Sequence, residues 1–397
     1  MNTENTQTAS APVRASIWND PKIRGIVYQA LLLMAVVYSG MYIFDNTIAN
    51  LERQGIASGF DFMGTTAGFS IITHLVDYSE ASSYGTAFLV GLLNTLILSF
   101  FGIVAATILG VIIGIARLSN NWIVQKMAMV YIETFRNIPL LLQIFFWYFA
   151  VLRALPSPKG SVNFLDSFFI NNRGIYSPAP IYEDGFSLTV WALGAAVVGI
   201  IFMTRWAHKR QETTGQQFPL FSASLGLLIG LPLLALIVTG FPVSWEIPEL
   251  KGFNFVGGMV IIPEFIAMWA ALSIYTASFI AELVRAGIQS VDHGQTEASF
   301  AMGVKPGVTM RLVILPQALR VIIPPLSSQF LNLTKNSSLA AAIAYPELVS
   351  VFTGTVLNQT GQAVEIIIIT MAVYLSISLV ISMIMNWYNA RIAIVER

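Results

Sequence analysis

The chain has 397 residues, of which 55% are hydrophobic and 11% charged, against about 25% charged in an ordinary soluble domain. With a mean hydropathy of +0.70, it is neither a soluble globular protein nor a disordered chain. Twenty-one basic residues balance twenty-one acidic ones with no basic block, and there is no cysteine; this argues against a nucleic-acid binder and excludes thiolate chemistry. The three histidines (His74, His208, His293) stand in no HxxxH or HxH spacing. The composition is that of an all-α integral membrane protein.

A membrane-crossing helix needs about 20 apolar residues at a rise of about 1.5 Å each. Eight stretches qualify: 25–44, 86–116, 137–154, 186–205, 219–240, 264–284, 318–345 and 366–388. Residues 1–23 are polar and read as a disordered tail. The first span follows Lys22 and Arg24 directly and lacks a small-x-small cleavage site, so it reads as a retained helix rather than a removed signal. Together with its loop it forms a segment over 24–85. The second and seventh stretches are long enough to tilt or to extend past a bilayer.

Basic residues set the orientation. Fourteen of the twenty-one Lys and Arg fall in one set of segments, among them Lys22, Arg24, Arg117, Lys126, Arg205, Lys209, Arg210, Arg285, Lys305 and Arg311. Five fall in the other: Arg53, Arg153, Lys159, Arg173 and Lys251. The bias predicts that both termini are cytoplasmic and that loops 45–85, 155–185, 241–263 and 346–365 are external. Gly110-x-x-x-Gly114 and Gly226-x-x-x-Gly230 are small-residue pairs of the kind that pack helices. Glu133 and Arg136, three residues apart, suit an interfacial ion pair.

The long cytoplasmic loop 285–317 carries its own helix signals. Asp292 suits an N-cap, with Gln295 three residues on to complete a capping box. Gly303 suits the C′ position and Pro306 forbids continuation. A helix of about ten residues is marginal alone in water. It is either a plain connector or a docking element whose apolar face is Ala298, Ala301 and Met302.

Glu297-Ala298-Ser299, then Gly303, Val313 and Leu315-Pro316, resembles the EAA–G–I-x-LP coupling loop of ABC-importer permeases, with Gly294-Gln295 just before it. Ser299 and Val313 replace the usual Ala and Ile. Further motifs are similar to the amino-acid branch of that family, the histidine/glutamine permeases. They are Gly91-x-x-Asn94-Thr95-Leu96, Glu133-Thr134-Phe135-Arg136-Asn137-Ile138-Pro139-Leu140-Leu141, Ala281-Glu282-Leu283-Val284-Arg285-Ala286-Gly287, Leu315-Pro316-Gln317-Ala318-Leu319-Arg320 and Lys335-Asn336-Ser337-Ser338-Leu339. The last resembles KDTSL, with Asn336 in place of Asp. The match covers 86–153 and 264–390. Residues 154–263 insert two extra spans, as in the long Q-type permeases of general L-amino-acid importers of Gram-negative bacteria.

The resemblance implies about eight transmembrane helices around a five-helix type I importer core in the bacterial inner membrane. It implies a non-enzymatic permease that forms half of an amino-acid pathway beside a second, related permease chain. A periplasmic binding protein would deliver the L-amino acid. Two copies of a cytoplasmic ATPase would bind ATP and Mg and dock on the loop through Gly294, Gln295, Glu297, Ala298, Gly303, Leu315 and Pro316. The chain itself would hold no cofactor, in keeping with the lack of a phosphate-loop motif. Carried over by position, the substrate-site candidates are Gln329, Lys335, Asn336, Ser337 and Ser338, faced by Asn94 and Thr95. The alternative for these polar groups is mutual satisfaction between helices. The loss of the KDTSL Asp suits neutral or acidic cargo. The competing function is an ion-coupled secondary amino-acid transporter, which would show internal repeats and midplane carboxylates.

Overall fold

In lipid a backbone must satisfy its own hydrogen bonds, so long apolar runs close into α-helices. A computed structural model describes residues 21–53 and 59–392; of the expected tails 1–23 and 391–397, residues 1–20 and 393–397 lie outside the described residues, whereas 21–23 and 391–392 belong to the first and last helices. Helix α1 (Pro21–Arg53) carries the first expected span, and none of its apolar window is buried against the chain. Helix α2 (Tyr84–Arg117) carries the second, started by Ser83, whose side chain accepts the Thr86 amide.

The third expected span, 137–154, is not one continuous helix. Helix α3 (Trp122–Asn137) and helix α4 (Leu140–Phe145), which continues as a π-helical stretch (Phe146–Leu152), meet at 106°. Pro139 explains the break: it lacks an amide donor, and it holds Ile138 extended at φ −92°, ψ 127°. The sequence reading gave α3 no helix of its own. α3 is amphipathic, burying Ala128 and Ile132 and leaving Trp122, Ile123 and Met127 exposed.

Helix α5 (Phe186–Thr214) and helix α6 (Leu220–Val238) form an antiparallel hairpin across Gly215, which ends α5 with φ +69°. Helix α7 (Pro263–Gln289) is the hub of the core, with 56% of its apolar window buried. The loop that follows contains α8 (His293–Ala301) and α9 (Pro306–Thr309). A π-helical turn (Met310–Ile314) leads into α10 (Leu315–Asn336). α10 tightens into a 3-10 stretch (Ser337–Ile343) that stops at Ala344, held at φ +60°. A further turn, Val349–Val356, continues as α11 (Leu357–Thr360), and α12 (Ala363–Ile392) completes the bundle. Among the described residues, seven helices are long and apolar enough to cross a membrane, or eight with the bent α3–α4 pair, which matches the all-α membrane architecture expected.

Small residues bring the core together. A Cβ at Gly110 would lie 2.6 Å from the Ile280 Cβ, and one at Gly114 would lie 2.7 Å from the Ala281 carbonyl. α2 therefore rides directly on α7, the packing predicted for the first glycine pair. The second pair does nothing of the kind: Gly226 and Gly230 have no atom within 4 Å of the Cβ position. The α5–α6 contact runs through Gly199 instead, where a Cβ would lie 2.9 Å from the Leu227 side chain.

The connecting loops hold short strands that sequence periodicity did not reveal. Residues 155–185 supply β1 (Val162–Phe164), β2 (Phe168–Asn171), β3 (Gly174–Ser177) and β4 (Ala179–Tyr182). Residues 241–262 supply β5 (Val243–Glu246), β6 (Glu249–Lys251), β7 (Asn254–Val256) and β8 (Met259–Ile261). A four-stranded antiparallel sheet runs β1-β2-β3-β8, and β4 pairs with β5, so both sheets knit the two loops together. The loop before α2 joins the same side, since the Gly59 amide donates to Glu365 at 2.7 Å.

Candidate functional site

The loop helix α8 is built largely as its residues dictate. Asp292 Oδ1 accepts the Gly294 amide at 2.7 Å. The C-terminus is a Schellman turn: Gly303 sits at φ +74° and donates to Phe300 O at 2.9 Å, and Val304 donates to Ser299 O at 3.1 Å. The capping box does not form, because the Gln295 amide oxygen accepts from Gln317 Nε2 at 3.4 Å and ties α8 to the start of α10. Glu297 lies 3.0 Å from His293 Nδ1, and both are exposed.

Ser299 is the one buried side chain of α8, and its hydroxyl donates to Gln295 O. The expected apolar face is turned outward: Ala298 and Ala301 are exposed, as are Phe300 at 49% and Met302 at 75%. Leu315 is exposed and Pro316 half-buried at the first turn of α10. An isolated short helix with its apolar residues outward presents a surface for a partner.

At the other end of α10, Lys335 and Ser338 line a cavity of about 420 Å³ with Val349, Met371, Tyr374, Leu375 and Ser378. Lys335 stands in the last turn of its helix, where the dipole favours a cation. Among the described residues, no carboxylate lies within ion-pair distance of its ammonium. Gln329 and Asn336 are half-buried and seven residues apart, on one stripe of α10 that differs from the Lys335 stripe. A larger cavity of about 650 Å³ between α2, α10 and α12 is lined almost wholly by apolar side chains such as Leu92, Phe100 and Val380.

Asn94 and Thr95 do not face Lys335 across its cavity. Both are buried, and both are committed to backbone. Asn94 Nδ2 donates to Thr73 O and Pro346 O, each at 2.9 Å. Thr95 Oγ1 donates to Gly91 O at 2.9 Å and accepts from the Leu348 amide at 3.0 Å. Ser337 is buried too, donating to Thr334 O at 2.7 Å. Asn94 and Thr95 clamp segment 344–348 to α2, which fixes the turn that follows Lys335.

The centre of that clamp was not found from sequence. Glu347 was assigned to an external loop, yet it is 0% exposed. Its carboxylate accepts from the amides of Val349 and Ser350 at 2.8 and 2.7 Å and from the Tyr374 hydroxyl at 3.0 Å. The signal was Pro346-Glu347 ahead of a helical run, an N-cap pattern. The expected Glu133–Arg136 pair is absent. Arg136 lies over the Phe279 ring at 5.3 Å, and Glu133 accepts from Asn137. At the 285–317 end of α7, Arg285 pairs instead with Glu282.

The chain resembles known proteins over nearly its whole length. The family model described as binding-protein-dependent transport system inner membrane component matches residues 213–394. The amino-acid ABC transporter permease protein YhdX of Escherichia coli strain K12 is 54% identical over 95% of this chain and 96% of its own. The general L-amino acid transport system permease protein AapQ of Rhizobium johnstonii is 50% identical over 98% of each chain. The glutamate/glutamine/aspartate/asparagine transport system permease protein BztB of Rhodobacter capsulatus is 42% identical over 95% of this chain and 96% of its own. A solved amino acid ABC transporter with histidines is 21% identical over 78% of this chain and 95% of its own, with a TM-score of 0.46.

Proposed function

The chain belongs to the amino-acid ABC transporter permeases, inner-membrane proteins that work with other ABC subunits and a substrate-binding protein, and on that premise we propose how it couples ATP to import. The 285–317 loop is the coupling element. α8 docks in a groove of a cytoplasmic ATPase through Ala298, Ala301, Met302 and the outward Phe300, with Glu297 available to a basic group. Gly294, Gln295, Gly303, Leu315 and Pro316 set its pose. ATP and Mg belong to the two ATPase subunits. The single observation that carries this reading is a capped, nine-residue helix with its apolar side chains exposed.

Both termini are cytoplasmic, and the face with the strands meets the periplasm, where the binding protein delivers cargo. A second, related permease chain completes the pathway. The amino acid contacts Lys335, Ser338, Gln329 and Asn336, whereas Asn94, Thr95 and Ser337 act one step back, holding the backbone that presents them. Ion-coupled secondary transport gains no support. The buried carboxylate of Glu347 is taken up as a helix cap, and Glu282 is paired with Arg285.

The decisive variant is Gly303→Leu. A side chain at φ +74° costs about 1 kcal/mol, and no atom lies within 4 Å of the Cβ position, so the chain folds and inserts. Uptake in vesicles carrying the full complex is expected to collapse. Normal stimulation of ATP hydrolysis by the binding protein in this variant would disprove coupling through α8. The cargo contacts are tested by Asn336→Asp, which is expected to shift preference from acidic toward cationic amino acids about tenfold for each ~1.4 kcal/mol of differential binding. An unchanged ranking of Glu, Gln and Arg uptake would remove Asn336 from the pathway.

A further inference from the structure

The inserted loops build a polar cavity that the coupling and pathway residues do not use. It has a volume of about 610 Å³, ample for one amino acid. One wall is insertion: Asn172 and Arg173 at the β2–β3 turn, Tyr176 on β3, Asn254 on β7. The other is core: Tyr148 and Arg153 at the end of the 146–152 stretch, and Glu264 in the first turn of α7. The cavity exists because the β3–β8 pairing draws the two inserted loops over that end of the core.

The walls are ordered and oppositely charged. The Tyr148 hydroxyl donates to Glu264 Oε1 at 2.7 Å, and Arg153 Nη2 donates to the same hydroxyl at 3.3 Å. The Tyr176 hydroxyl donates to Asn254 Oδ1 at 3.0 Å. Arg173 is held by its backbone, whose amide donates to Asn171 Oδ1 at 2.8 Å. Among the described residues, neither Arg153 nor Arg173 is in an ion pair with a carboxylate. Two guanidinium groups therefore line the cavity against one carboxylate.

We infer that this cavity is a reception site for a free α-amino acid, binding acidic cargo before neutral and neutral before cationic. Arg153 and Arg173 offer paired donors for carboxylates, and Glu264, fixed by Tyr148, accepts the ammonium. One net positive charge remains on the lining, which a second carboxylate on the ligand neutralises and a cationic side chain repels. The inference rests on the amino-acid import reading and extends it to the inserted segment. It gives residues 154–263 a task of their own, holding cargo at the mouth of the pathway.

The test is equilibrium binding of radiolabelled L-glutamate to the full complex in nanodiscs, without binding protein. Saturable binding is expected, displaced by L-glutamate, then L-glutamine, then L-arginine. Arg173→Gln is expected to weaken it about tenfold, and Arg173→Lys to recover most of the loss. Glu264→Gln is expected to weaken glutamate but not glutarate, which lacks the ammonium. Binding that ignores both Arg173→Gln and Glu264→Gln overturns the inference. So does the absence of saturable binding. Uptake driven by ATP and binding protein is measured in parallel on wild-type vesicles. Failure of the import reading then shows as absent uptake, and failure of this site as unaltered binding.

Discussion

The same Gly-x-x-x-Gly spacing occurs in α2 and in α6 with opposite outcomes. In α2, Gly110 and Gly114 admit the α7 backbone and leave no room for a methyl group. In α6, Gly226 and Gly230 look onto open space, and only 6% of the apolar window is buried, against 56% in α7. A small residue permits close approach but does not summon a helix, because lipid tails cover an apolar face as well as a neighbour does. The core has partners within the chain, and the inserted hairpin has chiefly itself.

The largest contrast is expected between Gly114→Leu and Gly230→Leu. The first drives a side chain into the Ala281 carbonyl and the Val284 side chain, an overpacking cost of about 3 kcal/mol or more. The second should stay within about 0.5 kcal/mol. Thermal unfolding of the purified chain in detergent reads both. A loss in Gly230→Leu that appears only in the assembled complex would sharpen the comparison by revealing a helix partner from another subunit.

A smaller contrast is expected between hydroxyl and amide groups of the two regions. Asn94→Leu leaves the part-buried Thr73 and Pro346 carbonyls without their donor, at about 1–3 kcal/mol in all. Thr204→Val on α5 removes an exposed bond to Ile201 O and should be near neutral. Equal melting shifts would mean that segment 344–348 is held by something other than the α2 clamp.

The smallest effect is expected from the largest change. The Glu183 amide meets Pro242 O at 3.0 Å, so a short glycine–serine linker can replace residues 184–241 and close β4 onto β5. Without α5 and α6 the remaining chain should still elute as a single species, with a melting temperature within a few degrees. Its unfolding would show that the hairpin is part of the core.

Much of the fold was legible in the sequence. Seven of the eight apolar stretches lie on single helices close to where they were read. Both ends of the loop helix were legible, because Asp292 and Gly303 act on their immediate neighbours, but the capping box expected at Gln295 does not form. The site at the far end of α10 was less so. Lys335 and Ser338 line a cavity that Gln329 and Asn336 do not, and Asn94 and Thr95 proved to be clamps, since no local rule tells which backbone carbonyl a buried amide will meet. Glu347 escaped notice because an acid after a proline looks like a loop until the surrounding helices bury it.

By itself the sequence determined what is periodic or local: helical spans from unbroken apolar runs, helix ends from caps, glycine and proline. Tertiary structure alone decided which glycine pair packs, where Pro139 turns the chain, and which acid goes dry. It also decided that three- and four-residue strands from loops some 80 residues apart in sequence form one sheet beside the core. Such strands are too short to show a period, and their pairing depends on distances set by the helices between them.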